Sequence, residues 1–227
     1  MVTQTTPEQT VYEHPDALVD CSTHYCPGCT HGVAHRLIAE VIDEMGIRDR
    51  MIGVASVGCS VFAYNYFDFD FVQAPHGRAP AMATGVKRAM PDRVVMTYQG
   101  DGDLASIGMG EIVHAAARGE NISVFFLNNS NYGMTGGQCS PTTPQGSRTT
   151  TTSYGNIDRE LNICEVAMAA GATFVARSTA YHAAQLPALI KQGIANKGFS
   201  LIEVLNPCPT GYGARNGFKT VADMYDA

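Results

Sequence analysis

The sequence predicts an α/β fold in which a mostly parallel sheet carries helices on both faces. Three observations predict it. Residues 94–99 and 122–127 are nearly all apolar, the pattern of strands covered from both sides. Residues 105–118 between them have helical length, and strand, helix, strand in this order makes a right-handed crossover between parallel strands. The chain has 227 residues, 45% hydrophobic and 16% charged, which suits one packed domain.

Taken in order, residues 1–20, with Pro7 and Pro15, read as an extended arm, and 21–227 as a single domain. Cys26-Pro-Gly-Cys29 leads into an amphipathic run over 33–45. There Val33, Leu37, Ile38, Val41, Ile42 and Met45 recur at helical spacing, and Gly46 supplies the stop. Residues 51–57 are β-prone and end at Gly58-Cys59. Aromatic residues crowd 62–71, and His76-Gly-Arg-Ala-Pro80 opens a helix through Met90. Residues 133–152 are rich in Gly, Thr, Ser and Pro, and an irregular stretch this long inside a domain predicts a functional loop. A helix over 163–170, a strand over 173–176, a helix over 180–195 and a strand over 200–205 follow. The last strand ends at Asn206-Pro-Cys208-Pro, and no internal repeat or domain linker interrupts the series.

Net charge is −6, with 15 Lys and Arg against 21 Asp and Glu. With no basic excess to release counterions, nucleic acid is not an expected partner. No apolar run reaches the roughly 18 residues of a membrane span. The N-terminal residues lack the basic start and apolar stretch of a signal peptide, so a cytoplasmic protein is expected. Seven cysteines (21, 26, 29, 59, 139, 164 and 208) are many for a reducing compartment. Clustered thiols there read as metal ligands or redox groups rather than disulfides. Cys21, Cys139 and Cys164 have no matching partners and read as structural.

The chemistry concentrates at the ends of two strands. Gly100-Asp-Gly-Asp follows the strand over 94–99, and Asn128-Asn129 follows the strand over 122–127. Ligands of open parallel sheets bind beyond such C-terminal strand ends. The glycines let backbone approach a phosphate, and the following helix N-terminus favours an anion. Gly100-x-Gly102-x-x-Ala105 also satisfies the loose dinucleotide fingerprint. That reading wants a carboxylate at the end of the next strand, where this chain has Asn128 and Asn129. Asp101 and Asp103 would repel a bare pyrophosphate, but they suit a bridging Mg²⁺ or Ca²⁺, which takes oxygen ligands.

Cys26-x-x-Cys29 alone fits zinc, a redox dithiol or an iron–sulfur cluster. A zinc ribbon would need a second such pair, and the chain has none. Cys59 and Cys208 both lie in turns at strand ends, on the side expected for the diphosphate. Four thiolates from three segments can enclose a [4Fe–4S] cluster.

Gly100-Asp-Gly followed by Asn128-Asn129 resembles the motif of thiamine-diphosphate enzymes and their diphosphate-domain fold. The continuation through Tyr132-Gly-Met-Thr-Gly-Gly-Gln138, with Cys26-Pro-Gly-Cys29 and His76-Gly-Arg-Ala-Pro80, is similar to the β subunits of 2-oxoacid:ferredoxin oxidoreductases. That resemblance implies Mg²⁺ (or Ca²⁺) held by Asp101, Asn129 and the backbone carbonyl of Asn131. It places Gly58, His76, Gly77, Gly100, Gly102, Asp103, Leu104 and Ala105 around the cofactor, and Tyr132, Gly133, Met134 and Thr135 on its thiazolium side. Cys26, Cys29, Cys59 and Cys208 match the family's [4Fe–4S] ligands one for one.

The implied reaction is oxidative decarboxylation of a 2-oxo acid with coenzyme A, giving acyl-CoA and CO₂ and passing electrons to ferredoxin. The implied partners are an α subunit carrying the pyrimidine-binding domain, with γ and ferredoxin-like δ subunits. The resemblance implies that the activating glutamate comes from the α subunit, and Glu111 reads as a solvated or structural carboxylate. His76 and Arg78 are the charged candidates for substrate or cofactor contact. Met134 stands where pyruvate-using relatives carry Asn, which points to 2-oxoisovalerate or 2-oxoglutarate. The rival readings are a cluster-free thiamine lyase or synthase subunit and a zinc-stapled nucleotide-binding protein.

Overall fold

The computed structural model describes residues 13–226. Six strands are present: β1 Met51–Ala55, β2 Asp70–Gln73, β3 Val94–Gly100, β4 Ser123–Asn128, β5 Phe174–Thr179 and β6 Ser200–Leu205. They form one sheet in the order β2-β1-β3-β4-β6-β5, and every neighbouring pair is parallel. The helices are α1 His31–Glu44, α2 Ala79–Ala89, α3 Met109–Ala117, α4 Ile163–Ala170, α5 Leu186–Ala195 and the short α6 Val221–Tyr225.

The predicted two-sided burial is realised residue by residue. Tyr98, Phe125, Leu127, Ile202 and Val204 pack with α1 and α5 in one core. Their alternating neighbours Val95, Val124, Phe126 and Leu201 pack with α2, α3 and α4 in the other. Side chains along a strand alternate between faces, so an all-apolar strand feeds both cores at once. From β1 the chain first moves outward to β2 and then returns to the other side as β3. That reversal leaves a crevice beyond the C-terminal ends of β1 and β3, where open α/β sheets bind ligands.

Three local departures matter. The aromatic stretch runs into β2, a strand absent from the sequence reading, which pairs in parallel with β1. The helix predicted over 105–118 is two elements, a π-helical turn Gly102–Ile107 and then α3. Within that turn Gly108 N–H donates to the Asp103 carbonyl, 2.9 Å away, and π turns of this kind concentrate at functional sites. The helix predicted over 180–195 begins later, because Ala180–His182 forms a separate 3₁₀ turn capped by the Thr179 hydroxyl. Residues 1–12 of the expected arm lie outside the described residues. Its last part packs on the domain, with Ala17 buried and Val19 N–H bonded to the Tyr66 carbonyl. No described helix is long and apolar enough to cross a membrane.

Candidate functional site

β3 ends at Gly100, and Asp101-Gly102 turns the chain into the π-helical segment. A Cβ at Gly102 would lie 2.3 Å from the Tyr132 ring, so only glycine allows that contact. Asp101 is buried, and its Oδ2 accepts from the hydroxyls of Ser140 (2.6 Å) and Thr142 (2.9 Å). Burial pushes the Asp101 carboxyl up to about 6, and those hydroxyls work in the opposite direction. The other oxygen, Oδ1, faces the amide head of Asn129.

That amide head sits 3.0 Å from Asp101 Oδ1 and 2.7 Å from the Asn131 carbonyl oxygen. With its NH₂ turned inward it donates to both. With its Oδ1 turned inward, three oxygens face one another, an arrangement that a cation satisfies. The turn that makes this possible centres on Ser130, the one described non-glycine residue with left-handed backbone (φ 62°). Its N–H donates to Asn128 Oδ1 at 3.1 Å, and its carbonyl accepts from the Thr143 hydroxyl at 2.7 Å. Such strain persists where surrounding bonds over-determine it.

Asp103 serves a different purpose. Its Oδ1 accepts from the Ser56 hydroxyl (2.8 Å), the Gly77 N–H (2.6 Å) and the His76 ring, and its Oδ2 from the Gln99 amide (2.5 Å). This one carboxylate ties together the ends of β1 and β3 and the turn before α2. Gly77 has a positive φ, and a Cβ there would meet Gly108 N at 2.7 Å, so the turn needs glycine.

Gly58, His76, Gly100, Asp101, Gly102, Asp103, Asn129, Asn131 and residues 132–135 line one cavity of about 80 Å³, together with His31, Val57, Cys59 and Ser60. Leu104 and Ala105 lie beneath it with their side chains in the core, so only their backbone can face a ligand. Arg78 departs from expectation. Its guanidinium is captured by Glu111 of α3 and by the Ile107 carbonyl, and it does not line the cavity.

A second cavity, of about 220 Å³, is lined by Cys26, Cys29, Cys59 and Cys208. Cys26 and Cys29 lie in the turn that opens α1, Cys59 in the turn after β1, and Cys208 after β6. Burial, reinforced by the neighbouring thiols, pushes Cys59 up to about 12; burial also raises Cys29. Among the described residues no three His, Cys, Asp or Glu side chains converge on a point suited to a single ion. The thiols instead surround a volume. The two cavities share Cys59, Asn129, Gly133 and Met134 as a common wall. Cys21 and Cys139 stand apart from both rims of thiols. Cys164 donates to buried Glu203 at 3.0 Å, beside Arg177 at 2.6 Å.

Residues 56–204, which carry Asp101, Asn129, Asn131 and Cys59 but not Cys26, Cys29 or Cys208, match the family described as thiamine pyrophosphate enzyme, C-terminal TPP binding domain. The chain is 45% identical over 201 residues to the 2-oxoglutarate synthase subunit KorB of Methanocaldococcus jannaschii, covering 88% of this chain and 74% of that one. The chain belongs to the β subunits of the 2-oxoacid:ferredoxin oxidoreductases.

Ketoisovalerate oxidoreductase subunit VorA of Methanothermobacter thermautotrophicus is 46% identical over 212 residues; this chain spans 44% of its length. Among solved structures, the 2-oxoglutarate:ferredoxin oxidoreductase from Magnetococcus marinus superimposes with a TM-score of 0.86 at 30% identity, over 96% of this chain and 75% of that one. A Rhodococcus jostii thiamine diphosphate-dependent 4-hydroxybenzoylformate decarboxylase, at 21% identity and TM-score 0.57 over 90% of this chain and 37% of that one, shares the fold. Residues 56–204 thus form a thiamine-diphosphate-binding domain of the kind these β subunits carry.

Sequence reasoning missed Ser140, Thr142, Gln99, Ser130 and His31. The hydroxyls lie in the loop already singled out by its composition, but nothing in their spacing announces that they reach back to Asp101.

Proposed function

We propose that this chain is the catalytic β subunit of a cytoplasmic enzyme that oxidatively decarboxylates a 2-oxo acid with coenzyme A. The products are acyl-CoA, CO₂ and electrons delivered one at a time to ferredoxin. The observation that carries this reading is the pairing of the two cavities across one wall, Asp101, Asn129 and Asn131 oxygens on one side and four cysteines on the other.

The residues fit the groups. An octahedral Mg²⁺ site with metal–oxygen distances of about 2.0–2.1 Å has ligand edges of about 3 Å, close to the 2.7 and 3.0 Å separations around Asn129. The cysteine side offers four thiols around a cavity, and the buried Asn206 side-chain amide lies within hydrogen-bonding reach of the Cys29 thiol. Donors to cluster sulfurs are one way a protein sets a [4Fe–4S] potential. When bound, thiamine diphosphate supplies the nucleophilic carbon and electron sink, and the cluster supplies one-electron transfer.

The chain's own residues then position and hold. Asp101, Asn129 and the Asn131 carbonyl are the cation ligands, with Ser140 and Thr142 orienting Asp101. Gly102 and Gly100 let the diphosphate approach backbone, and Asp103 fixes the cavity floor through His76 and Gly77. Cys26, Cys29, Cys59 and Cys208 would hold the cluster, while Asn129, Gly133 and Met134 belong to the wall that the two cavities share. The site has no described glutamate on the pyrimidine side, consistent with an α subunit that supplies one. A γ subunit and a ferredoxin-like δ subunit complete the assembly, with this chain's cofactor domain running from residue 21 onward. Met134, with Val57 beside it in the cavity lining, favours a branched-chain 2-oxo acid or 2-oxoglutarate over pyruvate.

Anaerobic purification with the co-expressed partner subunits tests this. Iron, acid-labile sulfide and thiamine diphosphate should co-purify, and the broad cluster absorbance should bleach when 2-oxo acid and coenzyme A are added. A preparation holding zinc without sulfide, or one that decarboxylates without bleaching, overturns the reading.

A further inference from the structure

His31 opens α1, two residues after Cys29, and is 2% exposed. Its ring is clamped from two directions. Tyr25 stacks on it at 4.6 Å with planes 7° apart, and Nδ1 lies 2.8 Å from the Tyr98 hydroxyl. Among the described residues Nε2 has no hydrogen-bond partner, yet the ring lines the cavity that also holds Asp101, Asn129 and Asn131. A buried ring fixed on one edge and unpartnered on the other, aimed into a binding cavity, is a group waiting for a ligand.

The hydroxyl of Tyr98 decides which proton His31 presents. Tyr98 is fully buried, and the one acceptor within hydrogen-bond reach of its O–H is His31 Nδ1. A buried hydroxyl without an acceptor is costly, so Tyr98 donates and Nδ1 accepts. The imidazole proton then sits on Nε2 and points toward the cavity. His76, the histidine that sequence pattern favoured, cannot do this with its Nδ1, which is engaged by Asp103.

We propose that His31 is a catalytic residue whose Nε2–H donates a hydrogen bond to the ketone oxygen of the 2-oxo acid, with Tyr98 as the positioning residue that fixes its tautomer. The inference rests on the function proposed above. As the ketone carbon is attacked, its C=O π electrons move onto oxygen, and a fixed neutral donor stabilises that developing charge. No proton needs to leave His31 for this to work. Donors of this kind are worth about 10²–10³ in rate when they are pre-oriented in a site that excludes water.

The test uses the assembled enzyme with its partner subunits. His31→Leu should lower kcat about 100-fold, with the KM for coenzyme A unchanged and the iron and thiamine diphosphate contents at wild-type level. His31→Gln places an amide N–H near the former Nε2 and should restore most of that loss without moving the pH profile. Tyr98→Phe should fall between the two. A readout independent of turnover is the carbonyl stretch of a ¹³C-labelled 2-oxo acid bound to enzyme stripped of thiamine diphosphate. It should shift to lower frequency in wild type and His31→Gln but not in His31→Leu. Wild-type kcat in His31→Leu, equal loss in Leu and Gln variants with full cofactor content, or an unshifted carbonyl in wild type each overturns the proposal. If His31→Leu loses its cofactors or misfolds, the Gln rescue and the wild-type carbonyl shift still decide. Wild type that turns over no 2-oxo acid instead sinks the function on which the proposal rests.

Discussion

The two sides of the shared wall are built on different principles. On the diphosphate side every carboxylate already has its partners. Asp103 takes four donors, Asp101 takes two hydroxyls, and Asn129 sits within hydrogen-bond range of two oxygens. On the cysteine side the thiols have few partners, and Cys59 and Cys29 are held protonated by burial and by neighbouring thiols. The comparison teaches that the carboxylates of the first side are fixed by the fold's own donors, although Ser60 Oγ, Gln99 Oε1 and Asn131 Oδ1 stay without partners there, whereas the thiols of the second side are kept neutral chiefly by burial. Metal sites of the second kind couple occupancy to stability.

The largest effects should come from separating the halves. Asp101→Asn should abolish thiamine diphosphate retention on gel filtration and reduce activity by about 10³-fold or more, several kcal/mol of lost cation binding, while iron content stays at wild type. Cys208→Ser should do the reverse, emptying the cluster and its electron transfer while diphosphate binding by equilibrium dialysis survives. Loss of both groups in either variant would mean that the halves fold as one unit.

A smaller effect is expected at Gly102→Ala, whose Cβ would intrude on the Tyr132 ring at 2.3 Å. Overpacking of this kind costs about 1–3 kcal/mol, readable as a lower thermal midpoint and weaker diphosphate binding with intact iron. Thr142→Val removes one of the two hydroxyls on Asp101 Oδ2, about 1–2 kcal/mol. It should weaken Mg²⁺ roughly tenfold in a Mn²⁺ competition assay, with Thr142→Ser near wild type.

The smallest effect is the pH dependence. Asp101 must be ionised to bind a cation, and burial raises its carboxyl to about 6. Mg²⁺ affinity should therefore be flat above neutrality and fall as pH drops through that value, with a proton taking the cation's place. An affinity unchanged down to pH ~4, near the reference carboxylate range, would show that Asp101 is not a ligand.

Much of this was legible in the chain itself. The all-apolar strands over 94–99 and 122–127 fixed the parallel sheet, and Gly100-Asp-Gly with Asn128-Asn129 marked the cavity, because both are local signals with a physical meaning. β2 was hidden because it is four residues long and its one aromatic residue, Phe71, packs with Phe67 and Phe69 just before it rather than marking a clean alternation. The π-helical turn was hidden because it depends on Asp103 being gripped from Ser56, His76, Gly77 and Gln99, three of which lie on other segments. Arg78 was misread for a similar reason, since its true partner Glu111 stands a helix and a strand away. Long-range hydrogen bonds leave no periodicity to read. His31 was passed over because its meaning resides in Tyr98, which sequence presents as one more apolar strand residue.

Gly133 stands in the wall between the two cavities. A Cβ there would lie 3.3 Å from the Asn129 amide nitrogen, 3.4 Å from the Cys59 sulfur and 3.5 Å from the Asn131 amide oxygen. Any larger residue therefore crowds the Asn129 amide and puts carbon against the Cys59 sulfur, so a change at this one position is felt in both cavities.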